Sequence, residues 1–347
     1  MAKINLYDLT LPQIEKLLAK WRQPSYRARQ IWRWLYEHLV TDFSQMSSLP
    51  KTLREQLTAK TELYVPTVLA QQTSLSGETR KDLLKMPFGA EVEVVLMRYI
   101  DRRSVCISTQ VGCAMGCKFC ATGQMGFKRD LTSGEIVAQV LHFQRELAQQ
   151  EQRLSNIVFM GMGEPFINYD NTLAAVRRLM HPDGLNFGQR RMTISTVGIV
   201  PGIRRFTAED IQVHLAVSLH AATDNLRSQL MPVNRRYDLD QVFMAISDYI
   251  EQTNRRVTFE WSLIKGINDT PEQAEALAAR LEGMLAHVNL IPLNPTEGYS
   301  GQPSPPERVA AFSTILERKH ISHTTRIERG LGIRAGCGQL RRRVRQS

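Results

Sequence analysis

From about residue 103 onward the chain repeats one unit, a short strand-like run followed by a helical pattern. Strands are expected at Ser104–Ser108, Asn156–Met160, Met192–Thr196, Gln212–Ser218, Val257–Ile264 and Val288–Pro292. Helical periodicity fills the gaps, near Thr172–Met180, Leu239–Gln252 and Pro271–Leu285. Thr132-Ser133-Gly134-Glu135 reads as a capping box that opens the first of these helices. Strands separated by helices run parallel, so the expected fold is α/β, a partial barrel of six strand–helix units. Chemistry on such a scaffold gathers at the C-terminal ends of the strands.

The motifs fall at those ends. After the first strand comes VGCAMGCKFCATGQM, in which Cys113, Cys117 and Cys120 form a C-x3-C-x2-C triplet among small residues. Three thiolates this close suit three irons of a [4Fe–4S] cluster and leave one iron open for a ligand. A zinc site would usually show two C-x2-C pairs or add histidines, and the nearest histidine, His142, lies in a predicted helix. Strand two runs into Gly161-Met162-Gly163-Glu164-Pro165, strand three ends at Ser195-Thr196, strand four at Ser218-Leu219-His220, and strand six leads to Asn294-Pro295. The two glycines allow either a tight strand-end turn or close approach to a ligand. His220 by itself reads as a structural histidine. The shared rim is what makes these residues a candidate site.

The rest of the chain frames that core. Residues 1–60 read as a helical unit, with Ile14, Leu17, Leu18 and Trp21, then Ile31, Trp32, Leu35 and Leu39 at helical spacing. Ser25 is the expected cap of the second helix, and Pro50 opens a third over Leu49–Lys60. Arg22, Arg27, Arg29 and Arg33 stand beside Trp and Tyr, a mixture that suits RNA or simply a core with a basic surface. Residues 61–98 read as an extended connection of short alternating runs, with Glu91 and Glu93 on one face of a strand that could be an exposed acidic edge. A Gly/Pro/Ser loop at 295–306, a lid or a connection, precedes a helix over Ser304–Lys319. The core is expected over 99–328 and a C-terminal extension over 329–347. Net charge is +10, with +5 in residues 1–60 and +8 in 318–347, so the middle carries −3. Basic ends around an acidic centre suggest a polyanion held from outside the core. No apolar run is long enough to span a membrane. The start, MAKINLYDLT, lacks the pattern of a secretory signal, and with five cysteines the expected location is a reducing cytoplasm. Subtracting the triplet leaves Cys106, which alone reads as a buried strand residue, and Cys337, set between glycines near Arg341, Arg342, Arg343 and Arg345.

The triplet followed by Ala121-Thr122-Gly123, with GMGEP at 161–165, SLH at 218–220 and GCGQL at 336–340, resembles the RlmN/Cfr family of radical S-adenosylmethionine (SAM) RNA adenosine methyltransferases. The resemblance runs over nearly the whole chain. Pro165 resembles the RlmN branch, where the Cfr branch tends to carry alanine; Phe166 stands where leucine is common. The resemblance implies methylation of C2 of adenosine 2503 in 23S rRNA and, in many bacteria, of adenosine 37 in tRNAs. Adenine C2 is electron-poor and does not attack a methyl donor, which is why a radical route is needed. In the family scheme Cys113, Cys117 and Cys120 hold the cluster and two SAM are used per turnover. Cys337 takes a methyl group from the first, and a radical made from the second removes hydrogen from that methyl. The carbon radical adds to C2, Glu93 or Cys106 takes the C2 proton, and Cys106 attacks Cys337, leaving a transient disulfide. By the same resemblance Gly163, Glu164, Ser195, Ser218, Leu219, His220 and Asn294 contact SAM, an electron donor such as flavodoxin is the expected partner, and the expected state is a monomer. The rivals are a Cfr-like C8 methyltransferase, a radical SAM enzyme on a non-RNA substrate, and a cluster- or zinc-bearing RNA-binding protein without catalysis.

Overall fold

In the strand Val257–Leu263, Val257, Phe259, Trp261 and Leu263 are fully buried and alternate with Thr258, Glu260 and Ser262. Successive side chains of a strand point to opposite faces, so this segment has one apolar and one polar face. The same division repeats through the sheet of the computed structural model, which describes residues 3–326, 331–336, 338 and 339. Cys337 and the arginines at 341, 342, 343 and 345 lie outside the described residues.

Ten strands make the main sheet: β1 (Thr67–Thr73), β2 (Thr79–Lys85), β3 (Glu91–Arg98), β4 (Arg103–Cys106), β5 (Asn156–Phe159), β6 (Met192–Thr196), β7 (His214–Ser218), β8 (Val257–Leu263), β9 (Ala286–Pro292) and β10 (His323–Thr325). They lie side by side in chain order, with β4 to β10 parallel and β1 to β4 joined antiparallel. Right-handed crossovers between neighbours in unbroken order put every connecting helix on one side. That is the winding of a barrel, here left open, with β1 and β10 at opposite ends of the order. The six expected strands are all present, and the short β10 adds a seventh parallel one. The segment read as an extended connection forms β1–β3, so β3 lies between two strands and is not an exposed edge.

The helices are α1 (Leu11–Lys20), α2 (Tyr26–Tyr36), α3 (Lys51–Lys60), α4 (Ser133–Ala148), α5 (Tyr169–Met180), α6 (Val200–Thr207), α7 (Asp224–Leu230), α8 (Leu239–Thr253), α9 (Pro271–Leu281) and α10 (Pro306–Arg318). The helices after the strands cover the apolar face, Phe243 of α8 stacking on Phe259 at 5.6 Å and Phe312 of α10 meeting Trp261 at 5.6 Å, whereas α7 lies by the cysteine loop, where Lys118 N donates to Leu230 O at 3.0 Å. The capping box opening α4 forms as expected, with Glu135 N donating to Thr132 Oγ1 at 3.2 Å and Thr132 N to Glu135 Oε2 at 2.8 Å. Ser25 does not cap α2; its backbone is already helical and its side chain makes no cap bond.

Helices α1–α3 pack behind α4 and α5. Arg145 of α4 donates to Leu39 O and to the Tyr7 hydroxyl, and Asp8 Oδ1 accepts from Gly134 N at the start of α4. Trp32 and Tyr36 are buried in this interface, while Arg29 and Arg33 are exposed, each 4.0 Å from Asp183. The aromatics of this unit that looked suited to RNA are therefore mostly core, and the arginines are its surface.

Candidate functional site

Register extends the polar face of β8 in both directions. Ser218 pairs with Glu260, Glu260 with Asn289, and Cys106 with Val158 and Val95. Paired residues share a face, and so do residues two apart. One open face therefore carries Lys81, Glu93, Cys106, Ser195, Ser218, Glu260, Ser262 and Asn289, opposite the helices.

The cysteine loop closes over the C-terminal end of this face. Beyond β4 the strand Gln110–Gly112 pairs antiparallel with Phe127–Asp130 and pinches residues 113–126 into a loop. Gly112, at φ +79°, is required there, because a Cβ would stand 1.9 Å from Gly126 O. Within the loop Cys120 N donates to Cys117 O at 3.2 Å, and the short helix Ala121–Gln124 follows. Cys113, Cys117 and Cys120 line one pocket with Phe119, Gly161, Gly163, Glu164, Ser195, Ser218, His220, Glu260 and Gly338. Burial pushes the Cys113 thiol up to about 12 and raises Cys117 and Cys120 as well, with mutual repulsion adding at Cys113 and Cys117. Three thiolates at such a site need a strongly positive partner. No three His, Cys, Asp or Glu side chains among the described residues converge as ligands of a single metal ion do.

The facing wall is built from the strand ends. A Cβ on Gly161 would meet Ile107 O at 2.6 Å, and one on Gly163, at φ +104°, would meet Gln110 Cβ at 2.6 Å. Both glycines are thus demanded by the chain's own close packing, the turn reading, whatever else they admit. Glu164 is buried, which raises its carboxyl to about 7 against the pull of the Val197 and Phe166 amides, donating at 2.9 and 3.0 Å. Ser195 Oγ and Ser218 Oγ stand 3.4 Å apart. His220, with φ +59°, accepts from Ser262 N at its Nδ1 at 2.8 Å; burial, then the Arg227 charge, lowers it to about 3, so its ring is neutral. Leu219 and Asn294 do not line the pocket. The Leu219 side chain is buried in the core, and Asn294 lies against Gly336, whose ideal Cβ would fall 2.7 Å from the amide carbon.

Glu93 and Cys106 sit further along the same face. Glu93 is buried and its Oε1 is 3.0 Å from Lys81 Nζ. Cys106, half-buried, is opposite Val95, two residues beyond Glu93. The chain on either side of position 337 reaches both places. Gly338 lines the pocket and its carbonyl accepts from Ala121 N, directly after Cys120, at 2.7 Å. Arg334 O accepts from Lys81 Nζ at 3.2 Å, and Gln339 Nε2 donates to Pro295 O at 2.9 Å. The loop 295–306 packs on the cysteine loop, with Gln124 Nε2 donating to Thr296 Oγ1 at 3.2 Å.

Three residues of this site escaped the sequence reading. Arg227, wholly buried, donates to Leu219 O, Val197 O and Asn234 Oδ1, and burial lowers it to about 10; nothing local marks it. Glu260 lines the pocket, and its position among apolar residues of a strand was a usable signal. Lys81, one charge among several in Thr79–Lys85, has no local mark either.

With this geometry in hand, the chain matches two family descriptions, "Ribosomal RNA large subunit methyltransferase N-terminal domain" over residues 4–63 and "Radical SAM superfamily" over residues 107–278. It is 49% identical over 340 residues to the dual-specificity RNA methyltransferase RlmN 1 of Myxococcus xanthus, covering 98% of this chain and 95% of that one. A probable dual-specificity RNA methyltransferase RlmN of Chloroflexus aurantiacus is 50% identical over 348 residues, covering 96% and 92%. The crystal structure of a radical SAM methyltransferase from Sphaerobacter thermophilus superposes with a TM-score of 0.95 at 50% identity, over 97% of this chain and 99% of that one.

Proposed function

The chain belongs to the RlmN family of radical SAM RNA methyltransferases, and from that premise we propose that it methylates C2 of adenosine 2503 in 23S rRNA and C2 of adenosine 37 in tRNAs. The observation that carries the proposal is the junction of tail and pocket. Gly338, next to Cys337 in sequence, lines the pocket of the three cysteines, and Arg334 O meets the Lys81 that pairs with Glu93. Cys113, Cys117 and Cys120 would hold the [4Fe–4S] cluster, and Glu164, Ser195, Ser218 and His220, with Gly163, would surround SAM. When bound, cluster and SAM supply the one-electron chemistry that makes a carbon radical.

The protein's own groups then have separate tasks. Cys337 accepts a methyl group as thiolate and carries it to adenine. Glu93, held as a carboxylate beside Lys81, takes the C2 proton. Cys106, on the same face, attacks the Cys337 sulfur: the S–S bond forms as the sulfur–carbon bond to the base breaks, the released carbon takes up a proton to become the methyl group, the remaining unpaired electron leaves to the redox carrier, and an external reductant must reopen the disulfide. Two SAM are consumed per product, one giving the methyl group and one the radical. Neutral His220 shapes the pocket; its Nδ1 accepts from Ser262 N, which leaves the ring proton on Nε2. The reaction takes place in the cytoplasm, with electrons from a carrier such as flavodoxin.

The test is an anaerobic assay on short rRNA and tRNA fragments with methyl-labelled SAM, reading the modified position and the label on protein. Expected are C2-methyladenosine, label on Cys337 before RNA is added, and loss of both in Cys337→Ala. Methyl at C8 would assign the Cfr-like activity, and turnover by Cys337→Ala would remove the carrier role.

A further inference from the structure

Lys81 is buried, with 7% of its side chain exposed, in a strand whose other charged neighbours Arg80 and Asp82 point to the opposite face. Placing an ammonium there is unfavourable unless its hydrogen bonds are made. Two of them are identified: Glu93 Oε1 at 3.0 Å and Arg334 O at 3.2 Å. The first partner is on the adjacent strand β3. The second comes from the C-terminal segment, three residues before Cys337. One cation thus joins a carboxylate of the sheet to the backbone of the tail.

The other anchors of that segment differ in kind. Arg334 reaches Glu297 at 2.8 Å where both side chains are about half exposed, and such pairs hold weakly. Gly336 N donates to Gln339 Oε1, a bond within the segment, and Gln339 to Pro295 O, a neutral bond. Gly338 O accepts from Ala121 N at 2.7 Å, likewise a neutral bond, so among the anchors of the described residues the bond from Lys81 alone is at once charge-assisted, sheltered from water and shared with a residue of the proposed chemistry.

We propose that Lys81 is a positioning residue that ties the C-terminal segment to the open face of the sheet, setting the chain that precedes Cys337 over Glu93 and Cys106. The proposal rests on the role given above to Cys337 and Glu93. A lysine that only neutralised Glu93 would not need the tail carbonyl, and one that only tied the tail would not need a buried carboxylate.

The test compares Lys81→Met, Lys81→Arg, Glu93→Gln and the double variant Lys81→Met/Glu93→Gln in full-length, cluster-loaded enzyme, by hydrogen–deuterium exchange and RNA methylation. The double variant removes the carboxylate that Lys81→Met would leave without its cation, and so guards against misfolding. Lys81→Met and the double variant should speed exchange in peptides spanning 331–339 by about tenfold, with peptides in 67–98 and the iron content unchanged. Lys81→Met should lower RNA methylation about tenfold or more, and Lys81→Arg, which keeps the charge and can donate to both partners, should restore part of each. Glu93→Gln should lose methylation while the tail stays protected, because Lys81 keeps Arg334 O. The proposal falls if tail exchange in the double variant stays within about twofold of the parent, or if exchange rises across the whole sheet. Wild-type turnover by Glu93→Gln would overturn the proton-acceptor role of Glu93 and leave the tail measurement to decide Lys81 alone.

Discussion

The helix-covered face of the sheet and its open face both bury charged side chains, and they satisfy them differently. On the covered face Asp82, with no exposed side-chain area, accepts from Arg80 Nε and Nη2 at 2.9 and 2.7 Å and meets His142 Nε2 of α4 at 2.7 Å. Arg80 also reaches Glu146, which binds Arg98 in turn. The network closes on itself and fastens β2 and β3 to α4. On the open face Glu260 gives Oε1 to Asn289 and Arg326, while its buried Oε2 has no hydrogen-bond partner among the described residues. Buried polar groups are nearly always satisfied, so such an exception asks for a ligand. Glu260 thus differs from Asp82 in keeping a buried acceptor to spare.

The largest break in that comparison is Cys117→Ala. Cys117 is on the open side and its thiol contributes nothing to the covered network, so the fold should survive. Iron content should drop and SAM-dependent RNA methylation should fall to background, because the cofactor carries the chemistry that no side chain can replace. Retention of full iron and of turnover would remove the cluster assignment.

Asp82→Asn strikes the covered face and should do the reverse. Removing one member of a buried ion pair costs about 3 kcal/mol or more, read as a lower urea midpoint, while turnover per folded molecule is kept. Burial raises the Asp82 carboxyl, but the hydrogen bonds from Arg80 and His142 outweigh it, and the net shift is downward. A carboxyl whose folded value lies below its unfolded one stabilises above the unfolded value, and that stability is lost as pH falls through the folded value. The parent should therefore lose stability on acidification more steeply than Asp82→Asn. Parallel acid profiles for the two would show that the network does not carry this linkage.

How much of this was legible in the sequence depended on whether the signal was local. The cysteine triplet was readable because ligand spacing is a property of one loop, and the parallel strands because short strand-like runs recur with helical patterns between them. The capping box of α4 was readable for the same reason. What the alternation did not reveal is that the polar members of separate strands share one face, since that requires register. Glu93, with Glu91, could be an exposed acidic edge by sequence; its burial comes from β4 on one side of β3 and β2 on the other, and the Lys81 it pairs with also meets a tail segment more than 200 residues later. Arg227 was invisible because its partners are carbonyls at the ends of distant strands. The strand β10, three residues long, is too short for any periodicity.

The smallest expected effect belongs to Glu260→Gln, and it discriminates most finely between the two faces. The amide keeps an oxygen toward Asn289 Nδ2, now 2.9 Å from Oε1, and puts an NH2 group in place of the buried, unpartnered Oε2. The ion pair with Arg326, at 3.2 Å, is weakened by the half-exposed arginine, so little stability rests on it. A carboxylate oxygen without a partner is itself unfavourable, and neutralising it should leave stability within about 1 kcal/mol of the parent or slightly above it. If that oxygen is kept for a donor on SAM, the KM for SAM should rise about tenfold, equivalent to about 1.4 kcal/mol, while Cys117-dependent iron content stays the same. A loss of stability as large as that of Asp82→Asn, with KM unchanged, would place Glu260 with the structural charges of the covered face and erase the distinction at this position.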